Sequence, residues 1–593
     1  MIRKLLGALG TSVAVLAAGN ASAGALGAAN EIFIGGATAV QETFNMDLLV
    51  RFCDFDNNTN DADGIILPQV FVDTFSTLPG AGNGAAATPT LRHGTEQVVH
   101  CTFRASTGGT LAGATVAVYK FNGGSGTGVA PVADPVGAPA ADQGYIDASV
   151  AACPQVIPTS NPGIGNSFLA VDGALRFRLY DCPSTRVTQA PDGGISDVEP
   201  KLFVGQLATG FGLSPPGISP DKPQNDFVDI GNLIVKSGPG IVFGVGVSTS
   251  FYDELTNDQQ AAGLLPACPP APTRAQRDSL LCMPSLPSPL VTSVFTGDIS
   301  SWSTVAPYGQ TLSPPAFVSV ANPNRGADGA KVNICRRTAG SGTNAQFQVE
   351  YLRTNCINGS PSQRTLANNV PQAVAAPQVY ENEGSSQVDL CMNALQAGTG
   401  YNGGFTNGLT TYPSAPTPLN GGTSSVVPNG RTAYGIAYNS LERNAALTNG
   451  YRFVKIDGVP PTLEEAHKGN YRDIYYLSYQ NRVLPGTDTP DPRTGAIRTV
   501  AADAAEIQIQ KEFFALWNSP NAAAVDAVND GLIVNPDGVA ANGDEWQGGL
   551  LSPSRTAPQV FAGGPTGNDP RTPWARETSG GVADSCQHLS YKN

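Results

Sequence analysis

Charged residues are scarce in this 593-residue chain, 14% of the total, and histidine occurs four times. The charges lean acidic: 34 Lys and Arg stand against 48 Asp and Glu, a formal charge of −14. A surplus of that sign repels phosphodiester backbones and anionic headgroups, so neither nucleic acid nor a membrane surface is an expected partner. No CxxC pair occurs, and His93, His100, His467 and His588 are scattered, so zinc-ligand spacing is missing. GxSxG and GxxxxGK[ST] are absent, and no glycine string completes GxGxxG with a ribose-binding acid. His93 and His100 have no partnered nucleophile, and Glu464 and Glu465 read as an exposed helix start, so no enzyme is expected.

Glycine and proline, in contrast, number 68 and 47, which signals many turns on a chain whose 41% hydrophobic content still supplies a core. The length suggests roughly two to four domains. Arg3 and Lys4 precede an apolar run from Leu5 to Ala18 that ends in Ala21-Ser22-Ala23, the pattern of a secretory signal over 1–23. That run is shorter than the roughly 20 residues a bilayer span needs, and no later segment is long and apolar enough for membrane insertion. A periplasmic or secreted chain without a lipid anchor is the expectation. Its ten cysteines should then form disulfides. Neighbour pairing joins Cys53 with Cys101, Cys153 with Cys182 and Cys268 with Cys282, and leaves Cys335, Cys356, Cys391 and Cys586 open.

Three segments read as strand, glycine turn, helix. The first is 31–52, with Val40, Phe44, Leu48 and Phe52 on one helical face. The second is 116–128, where Val116, Val118 and Tyr119 make the strand, and the third is 332–352, with Phe347, Tyr351 and Leu352 on the helix. Repetition of this unit implies an α/β fold with loops at the carboxyl ends of strands. Runs at 241–251, 432–441 and 471–479 read as buried strands that cross between two lobes. The stretch 501–517 reads as the last long helix, and 518–593 as a loop-dominated tail. Turn-rich stretches at 80–90, 127–194, 253–290 and 398–430 read as surface insertions.

The sharpest chemical feature is Arg337-Thr338-Ala339-Gly340-Ser341-Gly342-Thr343, between a strand and a helix. Its glycines admit a ligand to the backbone, the helix start offers unpaired N–H groups, Ser341 and Thr343 add hydroxyls, and Arg337 adds a forked cation. Together they describe an oxyanion socket. Gly124-Ser125-Gly126-Thr127-Gly128 and Gly35-Gly36-Ala37-Thr38-Ala39 repeat the same physics, and Gly193-Gly194-Ile195-Ser196-Asp197 contributes one carboxylate. A separate oxygen-rich run from Asp54 to Gly64 reads as a solvated turn or a calcium loop, although Thr59 and Ile65 stand where an EF-hand wants Gly and an acid.

These motifs, in this order, resemble the phosphate-binding proteins of bacterial phosphate ABC transporters. GGAT at 35–38 looks like that family's first turn, GSGTG at 124–128 like its second loop, SD at 196–197 like its acidic turn and RRTAGSGT at 336–343 like its most specific motif. The segments 295–302 and 456–479 are also similar. The resemblance implies a two-lobed type 2 periplasmic binding-protein fold with crossover hinge strands. Lobe 1 would take 24–250 and return over 466–593 with the tail; lobe 2 would take 251–465. It further implies inorganic phosphate as ligand, with no cofactor, held by Thr38, Ala39, Ser125, Asp197, Arg337, Ser341, Gly342 and Thr343, and an ABC permease as partner. Ala39 stands where the family has an aromatic residue. The insertions leave a second reading open, an extracellular structural or interaction protein that reuses this fold and self-associates.

Overall fold

The computed structural model describes residues 26, 30–37, 48–49, 52–54, 68–73, 96–107, 109–133, 143–148, 152–156, 178–182, 186–189, 191–203, 233–307, 331–337, 340–353, 366–367, 377–382, 384–397, 433–444, 447–482, 550–553, 571–572, 574–576 and 584–591. Within them one large mixed sheet dominates. Its strands include β1 (Asn30–Gly36), β2 (Gln69–Asp73), β3 (Glu96–Thr102), β4 (Thr115–Phe121), β5 (Gln155–Val156), β6 (Arg178–Cys182), β7 (Gly193–Ser196), β8 (Leu233–Ser248), β9 (Asn333–Arg337), β10 (Gln378–Asn382), β11 (Gly435–Ser440), β12 (Tyr451–Phe453) and β13 (Ile474–Arg482), and two short strands from the C-terminal part, Leu550–Pro553 and Arg571–Thr572, join it at β8. The spatial order is β10-β9-β11-β8-β13-β7-β1-β4-β3-β2-β6-β5, with β12 on β8. The described helices are few, and those used below are α1 (Thr249–Ala261), α2 (Ser288–Phe295), α3 (Gly342–Leu352) and α4 (Ser385–Ala397).

Parallel pairing explains the near-continuous apolar runs. β1 lies parallel to both β4 and β7, and Ile32, Ile34, Val116, Val118, Ala117 and Tyr119 are all buried, as expected where both sheet faces are covered. β8 joins the two parts of the sheet. Its first part runs antiparallel to β13, from Leu233 opposite Arg482 to Val242 opposite Ile474, with an irregularity between Ser237 and Gly240. Its last part pairs instead with β11, from Phe243 opposite Ser440 to Val247 opposite Ile436.

Several expectations change. The strand expected at 241–251 runs from Leu233 to Ser248 and gives way to α1, so Phe251 is helical; it, Tyr252 and Leu255 are buried on one helix face. The stretch 253–290 is therefore more than a surface insertion, because its glycine- and proline-rich composition masked a core helix. In 127–194, β6 joins the main sheet, and Tyr145, Ile146 and Ala148 pack with Phe33, Phe71 and Tyr119. α4 escaped the sequence reading although Val388, Cys391, Met392 and Leu395 have helical spacing and are buried. The strands expected at 432–441 and 471–479 span Gly435–Ser440 and Ile474–Arg482. The helix expected at 501–517 lies outside the described residues, as does the 1–23 signal.

Among the described residues four disulfides are seen: Cys53–Cys101, Cys153–Cys182, Cys268–Cys282 and Cys335–Cys391. The last settles part of the open connectivity: Cys335 on β9 and Cys391 on α4 are 56 residues apart, which spacing alone could not pair. Cys586 is also disulfide-bonded, and Cys356 lies outside the described residues. Removing a native bridge of this kind costs about 2–5 kcal/mol.

Part of the tail returns to the core. Arg576 is buried, donates to Glu350 of α3 at 3.0 Å and to the Arg472 carbonyl at 2.9 Å, and lies 4.8 Å over the Tyr475 ring. Ser585 donates its N–H and hydroxyl to Glu199, at 2.9 and 2.5 Å. Asp473 is buried nearby and accepts a hydrogen bond from the Tyr351 hydroxyl at 2.8 Å. No helix among the described residues is long and apolar enough to cross a membrane.

The Asp473 carboxyl is pushed up to about 8, chiefly by burial and then by the Glu350 charge. In the unfolded chain it would ionise near the ordinary carboxylate value of about 3.9. The folded state thus binds the proton more tightly, so this contribution to stability is full below about pH 4, declines as pH rises and is lost through about pH 8. Asp473→Asn should remove that decline. Urea midpoints measured across this range for both proteins test it: a constant difference between them would mean that the native carboxyl is already ionised.

Candidate functional site

Four strand ends converge. β1, β4 and β7 are mutual parallel neighbours through β1, so their carboxyl ends and the turns after them lie together, the usual place for a site in an open α/β sheet. Backbone bonds knit these turns. The Ala37 N–H donates to the Ile195 carbonyl at 2.8 Å, and the Gly124 N–H to the Gly36 carbonyl at 3.1 Å. The fourth element, the loop after β9, joins them when the Gly126 N–H donates to the Gly340 carbonyl at 2.9 Å. Only glycine fits at Gly36, where φ is 128° and a Cβ would lie 1.8 Å from the Ile195 oxygen.

Asp197 is the centre of the cluster. It is 1% exposed, its backbone N–H donates to Ser125 Oγ at 3.0 Å, and its carbonyl accepts from Gln346 Nε2 at 2.6 Å. The Thr343 hydroxyl makes a long contact of 3.5 Å to Oδ2, while Oδ1 is buried and has no hydrogen-bond partner among the described residues. Burial raises the Asp197 carboxyl above the usual range, and Arg337, Ser125, Lys120 and Thr343 oppose that shift in decreasing order.

Arg337 ends β9 and is 2% exposed. Its guanidinium donates to Ser385 Oγ at 2.9 Å and to the Asn382 carbonyl at 3.3 Å, contacts that fix it beside Asp197. Ser341 caps α3 by accepting from the Asn344 N–H, and the Asn344 amide donates back to the Arg337 carbonyl at 2.9 Å. The first turn of α3 therefore points its unpaired N–H groups and the positive end of its dipole toward the junction.

Six of the eight expected residues are thus brought together: Ser125, Asp197, Arg337, Ser341, Gly342 and Thr343. Thr38 and Ala39 lie outside the described residues. So does most of the 54–64 run, and the described residues contain no His, Cys, Asp or Glu group arranged for a metal ion. Sequence reading missed Lys120, Gln346 and Ser385. Lys120 had a signal, being the one charged residue in the strand TVAVYKF, and it is fully buried with its Nζ 2.9 Å from the Ala37 carbonyl. Gln346 and Ser385 had none, since ordinary polar residues on helices acquire their roles only through packing.

No protein-family model and no curated protein matches the chain. Among solved structures it is similar to a putative phosphate ABC transporter substrate-binding protein with bound phosphate from Clostridium perfringens, at 11% identity and a TM-score of 0.29, covering 82% of this chain and 98% of that one. It is also similar to PstS from Borrelia burgdorferi, at 9% identity and a TM-score of 0.26, covering 85% and 97%. An ABC-type phosphate transport receptor from Vibrio cholerae matches at 12% identity and a TM-score of 0.23, covering 51% and 73%. All three TM-scores are low, which leaves the reading of the site to its own residues.

Gly342 tests the packing of this junction. A Cβ there would stand 2.3 Å from Ser125 Oγ and 2.8 Å from Asp197 Oδ2. In an open helix position Gly→Ala stabilises by about 0.4–1 kcal/mol. Here overpacking should reverse the sign, and Gly342→Ala is expected to destabilise by about 1–3 kcal/mol in chemical denaturation. A variant as stable as the parent, or more so, would show that the turns do not meet as described.

Proposed function

We propose that this chain is an exported receptor for inorganic phosphate. The observation that carries the reading is the buried Asp197, with no partner for Oδ1 among the described residues, set among Arg337, the Ser125 and Thr343 hydroxyls and the start of α3. A cation and a helix N-terminus attract an oxyanion. A buried carboxylate beside them repels one, unless the anion carries a proton to donate. Hydrogen phosphate does, and sulfate at neutral pH does not.

In this reading Thr38, Ala39, Ser125 and Asp197 belong to one lobe, 24–250 with 466–593, and Arg337, Ser341, Gly342 and Thr343 to the other, 251–465. β8 and β13 act as the hinge, closure brings the donors around the anion, and the bound phosphate is delivered to an ABC permease. The disulfides among the described residues fit a periplasmic or secreted location.

The test is calorimetric titration of protein stripped of anions by unfolding and refolding. Phosphate should bind, and Arg337→Ala should weaken it at least about a hundredfold, because truncating one member of a desolvated charge-assisted pair costs on the order of 2–5 kcal/mol. An unchanged affinity would place the site elsewhere. Asp197→Asn keeps the shape but offers an amide donor, so the sulfate-to-phosphate affinity ratio should rise. An identical ratio in parent and variant would make Asp197 a turn residue.

A further inference from the structure

We propose that Lys120 is a positioning residue of the phosphate site, a second cation that offsets Asp197 and holds the first donor turn by its backbone. The inference rests on the phosphate reading above. β4 places Lys120 opposite Ile34 of β1, so its side chain reaches the turn after β1. There Nζ donates to the Ala37 carbonyl at 2.9 Å and to Asn122 Oδ1 at 2.5 Å. Ala37 immediately precedes Thr38, and Asn122 opens the loop to Ser125. One ammonium therefore ties two of the donor turns together.

The charges make the same point. Asp197, on the turn after β7, faces Lys120 electrostatically, and Arg337, from β9, faces Asp197. Arg337 and Asp197 alone leave the junction without net charge, which is a poor host for an anion. Lys120, while protonated, makes the balance positive. A fully buried lysine is also expensive to keep, since an apolar side chain of similar volume would avoid desolvating an ammonium. Retaining it in an otherwise apolar strand is consistent with a task at the site rather than with core packing.

Burial brings the Lys120 amine down to about 7, and Asp197 opposes that shift. An anion arriving nearby favours the charged amine further. Its help to binding should then be present in full below about pH 7 and decline as pH rises beyond it.

Phosphate titrations of the parent, Lys120→Met and Lys120→Gln between about pH 6 and pH 9 test this. The glutamine amide keeps a polar N–H donor on a side chain one bond shorter and carries no charge, and it serves alone if the methionine variant does not fold. The parent-to-variant affinity ratio cancels the ionisation of phosphate itself. It should be at least about tenfold near pH 6 and shrink toward pH 9. A ratio that stays constant with pH, while the parent binds phosphate, would reduce Lys120 to a structural role and leave the phosphate reading standing. A parent that binds no phosphate at any pH would overturn both.

Discussion

Taking the Asp197 carboxylate out of water costs free energy that only nearby cations and hydrogen-bond donors offset. The arrangement of the four turns answers that cost. Arg337 arrives from β9 and Lys120 from β4, with Ser125 and Thr343 supplying hydroxyls, so the acid is compensated by groups drawn from distant parts of the chain. One oxygen is nevertheless left without a hydrogen-bond partner among the described residues. A carboxylate held in this way is not at its electrostatic optimum as a piece of protein core, and that imbalance is the starting point of the phosphate reading.

The long strand β8 makes the convergence possible. By pairing first with β13 and then with β11 it puts β7, β1 and β4 on one side of the crossover and β11, β9 and β10 on the other. The turns after β4 and β9 can then face each other, as the bond between Gly126 and Gly340 shows. The C-terminal segment spans the same junction. Ser585 holds Glu199, two residues beyond Asp197, while Arg576 holds Glu350 on α3, the helix that begins at Gly342. Relative movement of the two groups of strands would have to stretch or break these buried bonds.

Local chemistry was legible in the sequence. RRTAGSGT, GSGTG and the acidic turn at Asp197 could be read as donors and an acceptor because glycine, hydroxyl and charge have the same properties in any fold, and short apolar runs before the glycine turns marked β1, β4 and β9. Three disulfides followed from neighbour order. The Cys335–Cys391 bridge did not, because loop spacing is silent on which strand a helix packs against. α4 was overlooked, and α1 was hidden in a stretch rich in turn formers.

What the sequence by itself determined was the kind of chemistry: an acidic, glycine-rich chain with several turns rich in hydrogen-bond donors and one carboxylate beside them. Tertiary structure decided which of those turns share a junction, that Asp197 is buried there with one oxygen unpaired among the described residues, and that Lys120 reaches the Ala37 carbonyl from the neighbouring strand. The reason is physical. Hydrogen-bonding capacity belongs to a residue, whereas burial and electrostatic compensation belong to its neighbours, and Asp197 and Arg337 become neighbours only when the sheet brings together residues 140 positions apart in the chain.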